Sequence, residues 1–252
     1  MTILKLRWLR MFIGGILLVL VVRPAAADKV KEILRKVDAT LTNVDDQMYD
    51  GELTLVRDGK TQKTLKFSVK LKGLKMQLVK FTAPGDVRGM TILTTELGHM
   101  YVYLPSYKRV RRVASHVRNQ GFMGTDISPE DMGAASLSEG WYAHLDSEDA
   151  KTWVLTLKPK PVKETTYAKL RITVLKQYGG VSKLEYFDAK GKVVKMQNRT
   201  DWQTFGPITL PMHFTVQDLH TGSKTIMQLS GCRVNTGIPA SMFQKRAIMR
   251  AD

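Results

Sequence analysis

The sequence predicts a mainly β (α+β) fold in one domain: a curved antiparallel sheet of about eleven strands with helices on one side. Two patterns and one set of turns predict it. After Tyr49 the chain alternates apolar and polar residues with a period of two, so each strand has one apolar and one wet face. Residues 28–44 instead repeat every three to four positions, as an amphipathic helix does. Short Gly-containing turns separate the strands at intervals typical of a meander.

The chain opens with Lys5, Arg7 and Arg10, an apolar run from Met11 to Val22, and Ala25-Ala26-Ala27. A charged start, a short apolar core and small residues at the exit describe a secretory signal peptide over residues 1–27, cut before Asp28. The rival reading is an uncleaved anchor, but this apolar run falls short of the roughly 20 residues that span a bilayer. No cysteine lies near the cut to carry a lipid, and no adjacent arginine pair marks the twin-arginine route. Residues 28–252 then form the single mature domain.

Within it, Val30, Ile33, Leu34, Val37, Leu41 and Val44 make one stripe of the first helix. This stripe is expected to pack on the concave sheet face through Val30, Leu34, Val37 and Leu41. Strands follow, as in Leu65, Phe67, Val69 and Leu71, in Trp153, Leu155 and Leu157, and in Leu170, Ile172 and Val174. Asp58-Gly59 suits a two-residue type I′ hairpin, which needs two positive φ angles. Asp188 to Gly191 and His220 to Ser223 mark two further turns. Pro239 to Met249, with apolar Met242, Phe243 and Ile248, reads as a short closing helix.

The 252 residues are 43% hydrophobic and 25% charged, a globular balance that excludes a disordered chain and a polytopic membrane protein. One cysteine, Cys232, excludes a disulfide framework and a multi-cysteine metal site. It sits in a strand and reads as a buried structural thiol. The net charge is +16; removing residues 1–27 leaves 35 basic against 23 acidic residues, or +12. That excess suits an anionic membrane surface or anionic partners rather than nucleic acid in an exported protein.

Residues 81–132 break the alternation. They hold Phe81-Thr82-Ala83-Pro84-Gly85-Asp86-Val87-Arg88-Gly89, then Tyr103-Leu104-Pro105-Ser106 with Arg109-Val110-Arg111-Arg112, then Phe122-Met123-Gly124-Thr125-Asp126 followed by Ser128-Pro129-Glu130-Asp131-Met132. Ser128 is placed as an N-cap, with Pro129 and acids in the first turn. These three blocks, in this order and spacing, resemble the LolA-like outer-membrane lipoprotein-sorting proteins. The helix-then-sheet order and the final Ile238-Pro239…Phe243 element extend the likeness over the mature chain. The resemblance implies a strongly curved sheet forming an incomplete β-barrel, with helices covering its concave face. It implies an apolar cavity for acyl chains of lipoproteins or lipids, and a periplasmic carrier that passes them from an inner-membrane transporter to an outer-membrane acceptor. Members of this longer branch look like companions of resistance-nodulation-division-type exporters. The protein is expected to act as a monomer, without cofactor or metal.

The candidate cavity wall is Leu65, Phe67, Val69, Met76, Leu78, Tyr101, Tyr103, Trp153 and Leu155, with the inward-facing alternate set left open. The plain alternative is that these residues pack on one another as core. Burying a methylene is worth about 0.8 kcal/mol, so an acyl chain of roughly 16 carbons could gain on the order of 12 kcal/mol. Arg109 and Arg111 share one strand face and Arg112 lies on the other. They are either a solvated edge that blocks strand pairing or a latch, or a head-group contact, at the cavity mouth. Phe122, Met123 and Gly124 are either a hinged lid, latched by Asp126 and Asp131 on those arginines, or a rigid plug. In the lid reading Phe122 and Met123 are hidden in solution.

Enzyme chemistry has little support. The histidines His99, His116, His144, His213 and His220 show no ligand spacing, and no nucleophile elbow or phosphate-binding glycine loop occurs. Asp45, Asp46 and Asp50 read as a solvated turn. A carrier and an envelope sensor on the same lipid-binding fold remain; the carrier is preferred because the chain stops soon after its closing helix.

Overall fold

The computed structural model describes residues 25–73, 75–95, 99–114, 121–128, 131, 136–161, 163 and 165–249. The expected signal segment up to residue 24 lies outside the described residues. Helix α1 (Ala25–Thr42) leads into β1 (Asp46–Arg57), β2 (Lys60–Lys72), β3 (Met76–Ala83), β4 (Thr91–Thr94), β5 (Met100–Leu104) and β6 (Arg109–Arg112). After a connection come α2 (Leu137–Gly140), β7 (Trp141–Glu148), β8 (Thr152–Pro159), β9 (Lys169–Leu175) and β10 (Gly180–Phe187). Then follow β11 (Val193–Phe205), β12 (Ile208–Asp218), β13 (Lys224–Val234) and α3 (Lys245–Ile248).

Thirteen strands, rather than about eleven, form one sheet in the order β6-β5-β4-β3-β2-β1-β13-β12-β11-β10-β9-β8-β7. Two meanders therefore meet where β1 pairs with β13. All pairings are antiparallel, and β6 and β7 are left as open edges. β4 and β6 are short, with four residues each. The hairpin at Asp58-Gly59 takes φ angles of 52° and 71°, the left-handed pair that this turn requires.

The sheet curves strongly. One cavity of 230 Å³ is lined by residues of seven neighbouring strands, β3 round to β10, and by α1. Laid flat, seven strands about 4.8 Å apart would be roughly 29 Å wide, far more than such a cavity can reach. Strand twist and coiling bring them round it.

Three apolar clusters hold the sheet. On the inner face, Leu53, Leu65, Phe67, Val69, Val79 and Phe81 pack together from β1, β2 and β3. Further round the same face, Ile33 and Leu34 of α1 pack on Trp153, Leu155, Ile172 and Val174; Val30 and Val37 are half-buried against this cluster, and the side chain of Leu41 lies outside the described residues. The third cluster is on the outer face, where Leu93 and Tyr103 pack beneath Ile238, Phe243 and Ile248. The expected closing helix is two pieces, a 3-10 turn at Ala240–Phe243 and α3, divided at the extended Gln244.

Asp46 corrects the solvated-turn reading of the acids after α1. It is 1% exposed and accepts from the amides of Thr236, Gly237 and Ile238 at 2.7, 2.8 and 2.9 Å and from the Thr236 hydroxyl at 2.8 Å. It thereby ties the start of β1 to the segment after β13. Cys232 does lie in a strand, β13, but is half-buried, and burial pushes its thiol up to about 11. None of the helices among the described residues is long and apolar enough to cross a membrane.

Candidate functional site

Among the described residues three cavities lie on the inner face: one of 750 Å³ between Val30 and Leu34 of α1 and Trp141, Ala143 and Leu145 of β7, and two that adjoin each other. The larger of the adjoining pair, 230 Å³, runs from Val37 and Leu137 to Val181, Leu184 and Leu210. The smaller, 130 Å³, lies against Phe67, Val69, Val79, Ile127 and Met227. They share Tyr49, Gln77, Arg199, Phe214 and Leu229, so the two chambers adjoin at a polar waist set between apolar ends. Two glycines shape them. A Cβ on Gly51 would stand 2.3 Å from the Phe67 ring, and one on Gly180 2.3 Å from the Trp202 ring. Each aromatic therefore lies flat across a neighbouring strand, and Trp202 is also stacked on Tyr178 at 5.1 Å.

The waist is built by β11. Lys195, Gln197 and Arg199 alternate along it and pair opposite Asp218, Val216 and Phe214 of β12, which puts all three on the inner face. Lys195 is held by Asp131 at 2.6 Å, with side-chain exposures of 9% and 4%, and its ammonium lies 4.7 Å from the centre of the Tyr186 ring. Arg199 donates to the Gln197 side-chain oxygen through Nε at 3.2 Å and Nη2 at 3.0 Å and sits 5.5 Å over the Phe214 ring. The surface it retains faces the chambers. Burial lowers the Arg199 pKa, opposed by Tyr186, Asp131 and Tyr49 nearby. Burial likewise raises the Tyr49 phenol, which stays neutral.

The expected wall residues divide between the two faces. Phe67 and Val69 line the smaller chamber. Leu65 is buried in the same cluster, while Trp153 and Leu155 are buried in the cluster under α1. Met76, Leu78, Tyr101 and Tyr103 do not face the cavities. They belong to the outer cluster beneath the C-terminal segment. The registers Leu78↔Leu93↔Tyr101 and Thr91↔Tyr103 put them on that side. Both faces of β3 to β5 are covered, so alternation there could not tell inside from outside.

The latch is corrected as well. Arg109, Arg111 and Arg112 are exposed on the edge strand β6, and Arg112 meets His99 at 3.0 Å. Asp126 instead accepts from the hydroxyls of Ser223 and Thr225, and Asp131 pairs with Lys195. Phe122 stacks on Phe81 with centroids 5.0 Å apart. Met123, expected to be hidden, is 37% exposed at φ 53°, next to Gly124 at φ 83°. The loop is tight: Phe122 N donates to Ile127 O at 2.8 Å and Thr125 N to Phe122 O at 3.0 Å. A Cβ on Gly121 would lie 2.1 Å from Thr125 O. Ser128 accepts from the amide of Asp131 at 3.2 Å, as an N-cap does; Pro129, Glu130 and Met132 lie outside the described residues.

The sequence pattern missed the polar waist, because Lys195, Gln197 and Arg199 look like the wet side of an alternating strand. It also missed Asp38, which is 7% exposed and accepts from Ser136 Oγ at 2.6 Å and Leu137 N at 2.9 Å. Nothing in the pattern announces either. Among the described residues no group of three His, Cys, Asp or Glu is placed to hold a metal ion.

A family model described as "-like: Uncharacterized protein" matches residues 73–250. No curated protein gives a significant match. Among solved structures, a DUF1329 family protein from Desulfovibrio piger is 24% identical, covers 88% of this chain and 99% of its own, and superposes with a TM-score of 0.81. An outer membrane lipoprotein-sorting protein domain from Vibrio parahaemolyticus is 22% identical over 89% of this chain and 98% of its own, with a TM-score of 0.77. A LolA superfamily protein from Nitrosomonas europaea is 20% identical over 86% and 97%, with a TM-score of 0.71.

Proposed function

We propose, on the premise that this chain belongs to the family matched over residues 73–250 and has a LolA-like fold, that it carries acyl chains through the cell envelope. The observation that carries this reading is the pair of adjoining, mainly apolar chambers on the inner face of the open curved sheet, the larger beside α1 and the smaller beside Ile127 and Asp131. Hydrocarbon placed there leaves water at about 0.8 kcal/mol per methylene. A free acyl chain does not cross an aqueous compartment unshielded, so a soluble protein with such chambers has work to do. The helix and the connection after β6 cover the concave face, and their displacement admits the ligand.

The destination follows from the rest of the reading. Residues 1–27 serve as a cleaved leader, the mature domain works in the periplasm as a monomer, and its basic surface meets anionic membrane. An inner-membrane exporter of the resistance-nodulation-division type loads it and an outer-membrane acceptor unloads it. The lipoprotein-sorting domain and the LolA superfamily protein among the structural neighbours support a lipid-binding carrier fold. Each chamber is smaller than the roughly 300–1,000 Å³ of a usual ligand pocket. Because the two chambers, 230 and 130 Å³, adjoin, together they reach the lower end of that range.

Leu210→Trp tests the reading, because Leu210 is half-buried and lines the larger chamber. The added ring should lower affinity for a fluorescent 16-carbon fatty acid at least tenfold while the melting temperature moves by only a few degrees. Unchanged uptake would remove the chambers as the binding site.

A further inference from the structure

Arg199 is a feature of the chambers that a container for hydrocarbon alone does not need. Its guanidinium sits at their junction, and among the described residues no carboxylate stands within ion-pair distance of it. The charges around it are spoken for. Asp131 is committed to Lys195 at 2.6 Å. Asp38, on the far wall of the larger chamber, spends both oxygens on Ser136, Leu137 and Ser138. The remaining neighbours, Gln197, Tyr49 and Phe214, are neutral. Gln197 takes two of the five guanidinium N–H donors. Arg199 is half-buried, and a cation drawn out of water without a carboxylate partner is costly to fold. Where one is kept in a cavity, a site that completes it with an anion is the natural account.

We propose that Arg199 anchors an anionic oxygen group, a carboxylate or a phosphate, at the head of the cargo, with the hydrocarbon chain running from it into one of the two chambers. The guanidinium suits that role better than an ammonium would, because its planar fork meets two oxygens at once. Tyr49, held neutral, shares the waist as a hydroxyl donor. The preferred cargo is then a charged single-chain amphiphile rather than a neutral lipid. This rests on the carrier reading and deepens it.

The test measures binding of palmitate, hexadecyl phosphate and hexadecanol, equal in chain length, to the full mature protein and to its Arg199→Met and Arg199→Lys variants. The unaltered protein should bind at least one of the two anions tenfold or more tighter than the alcohol; which anion wins separates a carboxylate from a phosphate cargo. Arg199→Met should abolish that preference, so that anions and alcohol bind within about twofold of one another, with a melting temperature equal or higher. Arg199→Lys should keep part of the preference. Equal binding of anions and alcohol by the unaltered protein would overturn the anchor and leave the carrier standing. Failure to bind any of the three would overturn both. If Arg199→Met melts earlier and loses the alcohol as well as the anions, Arg199 is a structural residue and the proposal falls.

Discussion

Asp46 shows how much one carboxylate can organise. Three backbone amides and a hydroxyl converge on it, so the segment after β13 is fixed to the start of β1. Burial alone would raise its pKa, but the bonds from Thr236, Ile238 and Gly237 outweigh burial and hold it below the ordinary value of 3.8. A depressed folded pKa stabilises the fold above the unfolded value, and that contribution is lost as the pH falls through the folded one. Asp46→Ala leaves buried amides without acceptors and should cost about 2–4 kcal/mol, a fall in melting temperature of roughly 10 °C for a domain of this size. Thermal melts across pH check both points. The gap between the two proteins should be full at pH 7 and narrow below about pH 4, as Asp46 protonates. A gap independent of pH would show that its charge plays no part.

The connection from β6 to β7 links the two edges of the sheet, and its described residues 121–128, 131 and 136 meet the inner face. It is stapled at three places: Asp126 to Ser223 and Thr225, Asp131 to Lys195, and Ser136 with Ser138 to Asp38 of α1. Ile127, 2% exposed, packs beneath it. Those contacts describe a strap that helps to close the core, where the sequence suggested a lid latched on arginines. Asp126→Asn with Asp131→Asn decides between them. Leaving Lys195 charged and unpaired in the interior should cost about 3–5 kcal/mol, lowering the melting temperature by roughly 10 °C. Exchange of a bound fluorescent fatty acid in the folded protein should be unchanged. Faster exchange with an unchanged melting temperature would restore the lid.

An open sheet has two edges, and each invites another strand. β6 meets that hazard with length and charge: four residues, of which Arg109, Arg111 and Arg112 are exposed. Replacing the three arginines with threonine removes the repulsion and keeps β propensity. The expected outcome is concentration-dependent association in light scattering, with fatty-acid binding unaltered. A variant that stays monomeric would mean that shortness alone protects the edge. The net charge, +16 over the whole chain, then serves both solubility and attraction to anionic membrane.

The sequence by itself determined the periodicities and the turns. Leu65, Phe67, Val69 and Leu71 alternate into the core, Ile33 and Leu34 mark the helix stripe, and Asp58-Gly59 makes its hairpin, because each depends on neighbours within a few residues. The fold class was legible for the same reason. Which face of β3, β4 and β5 turns inward was not, since Leu78, Leu93 and Tyr101 are covered by Ile238, Phe243 and Ile248 from the far end of the chain. Neither were the partners of Asp38, Asp126 and Asp131, for a carboxylate does not announce which distant hydroxyl or ammonium will reach it. Arg199 is the extreme case. On a strand reading Lys195-Met196-Gln197-Asn198-Arg199, local pattern assigns the charged side to water. Only the curling of the sheet, with α1 and the strap laid over it, turns that side into the waist of the cavity. Hydrophobic periodicity is a local property, whereas burial is settled by what packs against a face from elsewhere in the chain.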